Sequence, residues 1–503
     1  MTITFTEYGA AECIEGSKGI LQINDRKHLI DCGKSYQVQS NSDTQIFPFN
    51  VKEISDTFVT HAHGDHVGEL LELVYNGFNG KIFSTYQTAE ITKQQIAQEA
   101  SSVMMYNNSI KGRKFESGPH EGEYIPFKKS KFKYADVTHA MSLFETDRGV
   151  VRGDKKGFAY NKPLIIDDNL TATFYDAGHI PGSAQILFDI HSGGKNTTVL
   201  TACDLGRTDY FISNHPVANI PIVKAPVKDF PKPIDHIILE ATYGAKVHKP
   251  LEESIDMLYD AIQNTTKNNG GLIIPAFSIM RTHLLSVILY DFYKSGKLSE
   301  NLNMYISSPG ADSVSKIIMA HPEDMDAETF KKFQNKNDNP FWFSKLVHHE
   351  KYAETQKVLT ENKTPYLLIG ASGMCDMGRI VDILKNTISN PNNTIALLGY
   401  QAEHTRGRKL LDKEEYIRFG KELVPLKADV INVSGFSGHV DCVESIAHLK
   451  YINSAFPGHS LKSINIKHGE KEQCYALAAK VKEAGFSPNI IRVLKKGESV
   501  TFQ

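Results

Sequence analysis

The chain has 503 residues, 41% apolar and 23% charged, with 36 Gly and 20 Pro. That length holds two to four domains of about 150 residues, and the usage excludes collagen-like, low-complexity and mostly disordered chains. Lys and Arg total 56 against 58 Asp and Glu, a net charge of −2, so a nucleic-acid surface must be a local basic cleft and not a basic molecule.

Residues 1–13 lack the basic start and apolar centre of a signal peptide, and no apolar run approaches the ~20 residues of a membrane span. Cys13, Cys32, Cys203, Cys375, Cys442 and Cys474 are far apart and read as free thiols. A cytoplasmic protein with no membrane partner is expected. The first quarter shows short β-like runs at 3–7, 20–23, 28–31 and 57–60, separated by turn residues, which predicts a meander of strands. Residues 80–161 are mixed and polar, with a helix-like stretch at 89–105 and a Lys-rich run at 128–133, and read as a surface insertion. Strand signals return at 171–175, 185–190 and 198–202, then a Pro-rich connector at 216–233 precedes a strand at 234–239. From 251 to about 424, helix-period segments alternate with short apolar runs at 271–275, 303–307, 366–370 and 394–399, which predicts parallel strands with crossover helices. Two further strand runs follow, at 430–433 and 463–467.

The strongest chemical signal is Thr60-His61-Ala62-His63-Gly64-Asp65-His66, between a strand-like and a helix-like run. Two residues apart on an extended segment, His61 and His63 point the same way, while Asp65 and His66 lie past the bend, so one loop can feed two adjacent metal positions. Further ligands belong at the ends of other strands. Asp176-Ala177-Gly178-His179, Cys203-Asp204, Ser437-Gly438-His439 and His468-Gly469-Glu470 each follow such a run.

With these residues in view, the chain resembles the β-CASP family of metallo-β-lactamase-fold nucleases. Asp31, the His61–His66 cluster, His179, Asp204 and His468 match the metallo-β-lactamase motifs, and Glu240, His439 and His468 match the β-CASP motifs. Pro275-Ala276-Phe277-Ser278, Ser308-Pro309, Ser372-Gly373-Met374 and Gly399-Tyr400-Gln401-Ala402 extend the match in order along nearly the whole chain. The resemblance implies an α/β protein in two units. A metallo-β-lactamase αββα sandwich comes from residues 1–247 and 426–503, and a doubly wound β-CASP domain from 248–425 is inserted in it. It implies one metal on His61, His63 and His179, a second on Asp65, His66 and His468, Asp204 bridging both, and Asp31 orienting ligands from behind. Two Zn²⁺ suit this set, and Mn²⁺ is also accepted. A metal pair ~3.5–4 Å apart lowers the pKa of a shared water toward 7, which suits hydrolysis of a phosphodiester. Asp65, Glu240 and His439 are the implied catalytic residues, with His439 as proton donor held by Glu240.

A histidine in the last motif, here His468, is the pattern of RNA-acting members, so single-stranded RNA is the expected substrate, by endonuclease or 5′-exonuclease action. Ser278, Arg281, Ser308, Thr405 and Arg408 are the implied substrate contacts, with Arg379, Arg406 and Lys409 as further basic candidates near helix starts. The sequence departs from the family at Gly438, where Ala is usual, and at Met280 and His404, where Gly is usual. The Lys-rich run reads as a solvated face and Trp342 as a buried anchor beside Phe341 and Phe343. A homodimer stays open. Hydrolysis of a small ester or thioester and a non-catalytic RNA-processing scaffold are the other readings.

Overall fold

The computed structural model describes residues 2–35, 47–107, 113–114, 124–125, 132–147, 157–192, 194–208, 222–321, 325, 327–335 and 338–502. The Lys-rich run and the Pro-rich connector lie partly outside these residues.

Two sheets form the sandwich. The first has six strands in the order Ser499–Phe502, Ile3–Glu7, Gly19–Ile23, Arg26–Ile30, Ile54–Phe58 and Lys81–Phe83. The second has seven: Ile491–Val493, Ser463–Lys467, His236–Glu240, Lys195–Ala202, Ala184–Ser192, Leu170–Asp176 and Pro163–Asp167. Alternation explains their stacking. Ile3 and Phe5 of one strand and Phe174, Ile186 and Phe188 of the facing sheet meet in one core, where the Phe58 ring sits 5.1 Å from those of Phe83 and Phe188. Each phenylalanine fully buried there contributes about 1.5–3 kcal/mol. His236–Glu240 and Ser463–Lys467 are buried at every residue and run parallel, as near-continuous apolar runs require when both faces are covered. Ile238 faces the inner core, whereas Ile237, Leu239, Ile464 and Ile466 face helices Cys442–Ser454 and Lys471–Glu483. Helices Leu70–Tyr75 and Tyr86–Asn107 cover the other side of the first sheet through Leu70, Leu73, Ala89 and Ile96.

The inserted domain is built on six strands in the order Leu346–His348, Asn303–Ser307, Tyr366–Gly370, Gly271–Pro275, Thr394–Leu397 and Asp429–Asn432, all pairings parallel. Leu272 and Ile274 point to the layer of helices Leu251–Lys267 and Arg281–Lys294, and Ile273 points to that of Arg379–Thr387 and Arg406–Leu411. Helices on both faces make the unit doubly wound.

Two readings change. The run at 430–433, assigned by sequence to the sandwich, is the strand Asp429–Asn432 and extends the inserted sheet with Thr394 opposite Asp429. A short apolar run carries no mark of the sheet it joins, so only the pairing separates the two. The stretch at 80–161 is more than a surface insertion. Ile91 of helix Tyr86–Asn107 lies in the inserted domain's core, Glu90 stands 3.3 Å from His321 there, and Gln95 Nε2 donates to the Ala62 carbonyl at 2.8 Å.

Candidate metal centre

The candidate ligands come from loops that leave strands of both sheets at the same end. Asp31 follows Arg26–Ile30, the His61–His66 loop follows Ile54–Phe58, His179 follows Leu170–Asp176, Asp204 follows Lys195–Ala202, and His468 follows Ser463–Lys467. Asp31, Asp204 and His468 have φ of 61°, 49° and 52°, the left-handed region that L-residues seldom occupy and that gathers at functional sites. Three of these five strands are therefore followed within two residues by a turn at a site residue.

Seven side chains form two abutting groups, His61, His63, His179 and Asp204 in one and Asp65, His66 and His468 in the other. His63 Nδ1 lies 3.1 Å from both His61 Nε2 and His179 Nε2. Asp204 Oδ2 is 3.3 Å from His61 Nε2, 3.6 Å from His179 Nε2 and 3.4 Å from His66 Nε2, so one carboxylate oxygen faces both groups. His66 Nε2 and His468 Nε2 are 3.1 Å apart, and Asp65 Oδ2 is 3.9 and 3.7 Å from them. Donors ~2.0–2.1 Å from a tetrahedral ion stand ~3.3 Å from one another, so this nitrogen-rich, carboxylate-linked set fits divalent transition metals.

Outer contacts fix which ring atom faces inward. His66 Nδ1 lies 2.7 Å from Asp31 Oδ2, and Asp31 Oδ1 accepts from the Thr60 N–H at 2.8 Å and the Thr60 hydroxyl at 3.0 Å. His179 Nδ1 donates to the Gly438 carbonyl at 2.8 Å. Both rings thereby leave Nε2 for the centre. Burial drives the His61 and His179 imidazoles well below their ordinary pKa and His63 to about 4. Burial opposes the charge of Asp65, yet hydrogen bonding from His468 and the charges of His66 and His468 hold it at about 2. For Asp204 the charges of His468 and His66 likewise outweigh burial and keep the carboxyl ionised.

Beside this centre, His439 Nδ1 lies 3.0 and 3.2 Å from the two Glu240 oxygens, and Glu240 Oε1 accepts from the Leu205 N–H at 2.6 Å. The His439 ring is 4.4 Å from that of His179. Burial works against a charge on His439, but the Glu240 carboxylate, by charge and by hydrogen bond, raises its pKa above the usual value. Glu240 and His439 thus stand next to Asp204, with which they form a third carboxylate and imidazole group.

The departures at Gly438, Met280 and His404 have structural correlates. A Cβ at Gly438 would lie 2.9 Å from Arg281 Nη1 and 3.3 Å from His179 Nδ1, so the glycine admits the Arg281 guanidinium to the edge of the centre. Met280 and His404 have φ of 69° and 68°, the conformation for which glycine carries no Cβ penalty. Ser278 and Ser308 hydroxyls meet at 3.1 Å, and Ser308 caps helix Pro309–Met319. Thr405 caps Arg406–Leu411, whereas Arg408 pairs with Asp412 at the C-terminal end of that helix at 2.9 Å on the surface. Arg379 donates to the carbonyls of His349 and Glu350 and Arg406 to that of Cys375, so both are engaged structurally. Phe341 and Phe343 are buried, and Trp342 stacks on His348. Sequence reasoning did not single out Thr60, Arg207 or Phe277, whose ring lies 6.2 Å from that of His63. Phe277 lies inside a quoted motif, and Thr60 is adjacent to the histidine cluster.

No helix among the described residues is long and apolar enough to cross a membrane. Three family models match the chain: the Beta-Casp domain over residues 282–410, the Zn-dependent metallo-hydrolase RNA specificity domain over 423–492, and Anti-Pycsar protein Apyc1 over 1–118. Ribonuclease TTHA0252 of Thermus thermophilus is 27% identical over 474 residues, covering 93% of this chain and 94% of its own. Transcription termination factor FttA of Methanosarcina mazei is 25% identical over 491 residues, 95% of this chain and 69% of that protein, and FttA of Methanocaldococcus jannaschii is 27% identical over 487, 94% and 68%. A crystal structure of a protein of unknown function from Enterococcus faecalis V583 shares the fold at a TM-score of 0.50 and 10% identity, with 100% of both chains covered. A carboxylate-linked histidine centre at the strand ends of an αββα sandwich, an inserted parallel domain with its own family match, and likeness to these relatives along nearly the whole chain agree: the chain has the metallo-β-lactamase/β-CASP fold and carries a Beta-Casp domain at residues 282–410.

Proposed function

We propose that this chain is a metal-dependent ribonuclease that hydrolyses phosphodiester bonds of single-stranded RNA with two divalent ions, Zn²⁺ by preference. The observation that carries the reading is the convergence of seven metal-type donors beside a carboxylate-held histidine. His61, His63 and His179 would hold one ion and Asp65, His66 and His468 the other, with Asp204 placed beside both groups. Bound there, the ions supply an activated water for attack on phosphorus and neutralise charge on the phosphate.

The protein's residues do the rest. His439 presents the ring nitrogen that Glu240 does not occupy, and donates its proton to the departing 3′-oxygen. Proton donation of this kind contributes about 10²–10⁴-fold. Glu240 is itself held by the Leu205 N–H, so the acid is aimed by the same loop that carries Asp204. Arg281, over Gly438, offers a guanidinium to a phosphate oxygen. The Ser278 and Ser308 hydroxyls stand in the inserted domain as further polar contacts for the strand. The relatives named ribonuclease and transcription termination factor are consistent with an RNA substrate.

The test is hydrolysis of end-labelled single-stranded RNA with and without a chelator. Products with 5′-phosphate and 3′-hydroxyl ends, formed also from 2′-O-methyl RNA and abolished by the chelator, support the reading. Cleavage of esters or thioesters with no RNA hydrolysis in Zn²⁺ or Mn²⁺ overturns it.

A further inference from the structure

The chain passes between sandwich and inserted domain twice, after Glu240 on the way out and after Asn432 on the way back. The passages run side by side, with Tyr243 bridged to Asp441, the His248 N–H donating to Asp441 Oδ2 at 2.8 Å and the Cys442 N–H to the Lys246 carbonyl at 3.3 Å. One buried cation touches both. Arg207, 2% exposed, donates from Nη1 to the Gly435 carbonyl at 2.6 Å and from Nη2 to the Lys249 carbonyl at 3.0 Å. It stands three residues beyond Asp204. The intervening loop is pinned as well, since the Leu205 carbonyl accepts from the Val440 N–H at 2.9 Å. On its far side the return passage has no slack: a Cβ at Gly435 would stand 2.0 Å from Ser254 Oγ, on the first helix of the inserted domain.

A rigid, planar fork is suited to this task, because two carbonyls on separate segments can be held at fixed separation by one group. We propose that Arg207 is a positioning residue that fixes the orientation of the inserted domain, and with it Arg281, Ser278 and Ser308, relative to the metal centre. It acts through the two passages and touches neither ion nor substrate. The proposal rests on the ribonuclease reading for its kinetic consequence, but not for its structural one. A displacement of about 1 Å in how a substrate is held costs on the order of 100-fold.

The experiment compares wild type, Arg207→Met and Arg207→Lys for metal content, hydrolysis of bis(p-nitrophenyl) phosphate, hydrolysis of single-stranded RNA, and small-angle X-ray scattering. The small ester needs the centre but not the inserted domain's contacts to an RNA strand, and its leaving group needs no acid. Arg207→Met is expected to keep its metal and its rate on the small ester within about 2-fold while kcat/KM on RNA falls about 10- to 100-fold and the radius of gyration rises. Arg207→Lys, which can reach one carbonyl, falls between. Unchanged RNA kinetics and scattering in Arg207→Met overturn the proposal. So does parallel loss of metal and both activities in Arg207→Lys, which would assign the arginine to the Asp204 loop alone. If wild type cleaves the small ester but no RNA, the ribonuclease reading fails, and the scattering comparison still decides the role of Arg207.

Discussion

Replacing Glu240 with glutamine isolates the proton donor from the metal centre. Glu240 is 1% exposed, accepts the Leu205 N–H at 2.6 Å through Oε1, and faces His439 Nδ1 with both oxygens. Glutamine has the same shape and keeps one oxygen for Leu205, which places its NH₂ against His439 Nδ1. The ring must then accept on Nδ1 and loses the carboxylate that favours its charged form. Of the ~10²–10⁴-fold assigned to proton donation, a loss of about 100-fold in kcat on RNA is expected, equivalent to ~2.7 kcal/mol in the barrier. Metal content should stay at the wild-type level, because the substitution keeps the shape and the Leu205 contact and removes none of the seven candidate ligands. A single-turnover assay on RNA beside bis(p-nitrophenyl) phosphate provides the control, since the small ester's leaving group needs no proton. Equal losses on both substrates, or loss of metal, would refute the assignment of His439 as acid.

His404→Gly should raise the denaturant midpoint, because leaving the left-handed region without a Cβ recovers about 1–2 kcal/mol and the freer unfolded glycine returns about half of it; an unchanged or lower midpoint contradicts the strain at φ 68°. Asp235 accepts the Thr198 N–H at 2.9 Å and faces Lys462 at 2.8 Å, contacts that outweigh burial and depress its pKa. A depressed carboxyl pKa stabilises above the unfolded value and loses that contribution as pH falls through the folded one. Asp235→Asn should therefore lower stability by about 1 kcal/mol at pH 7, with the difference vanishing under acid where both side chains are neutral; urea titrations at neutral and acidic pH check this.

The centre was legible where its chemistry is contiguous or closes a strand. His61 to His66 announce themselves by spacing, and His179, Asp204 and His468 by following apolar runs, and the structure brings all of them together. Asp31 needed the resemblance, since an aspartate after a strand is ordinary until His66 and Thr60 are seen around it. The inserted domain's strands stood out because parallel strands buried on both faces are short, wholly apolar runs. What a one-dimensional pattern lacks is partner identity. It gave no means of placing Asp429–Asn432 in the inserted sheet, of seating Ile91 in the inserted domain's core, or of seeing Arg408 tied to Asp412. Arg207 was not singled out because its partners are backbone carbonyls at 249 and 435, which leave no mark in composition.

The most direct measurement counts metal and follows RNA hydrolysis on the same preparations of wild type and Asp204→Ala. Asp204 Oδ2 lies within 3.6 Å of nitrogens in both groups, so its removal should cost both ions their common ligand. Wild type should hold close to two transition-metal ions per chain and cleave RNA, and Asp204→Ala should lose metal and activity together. Wild-type metal content and rate in Asp204→Ala, or RNA cleavage by wild type stripped of metal, would contradict a two-metal ribonuclease.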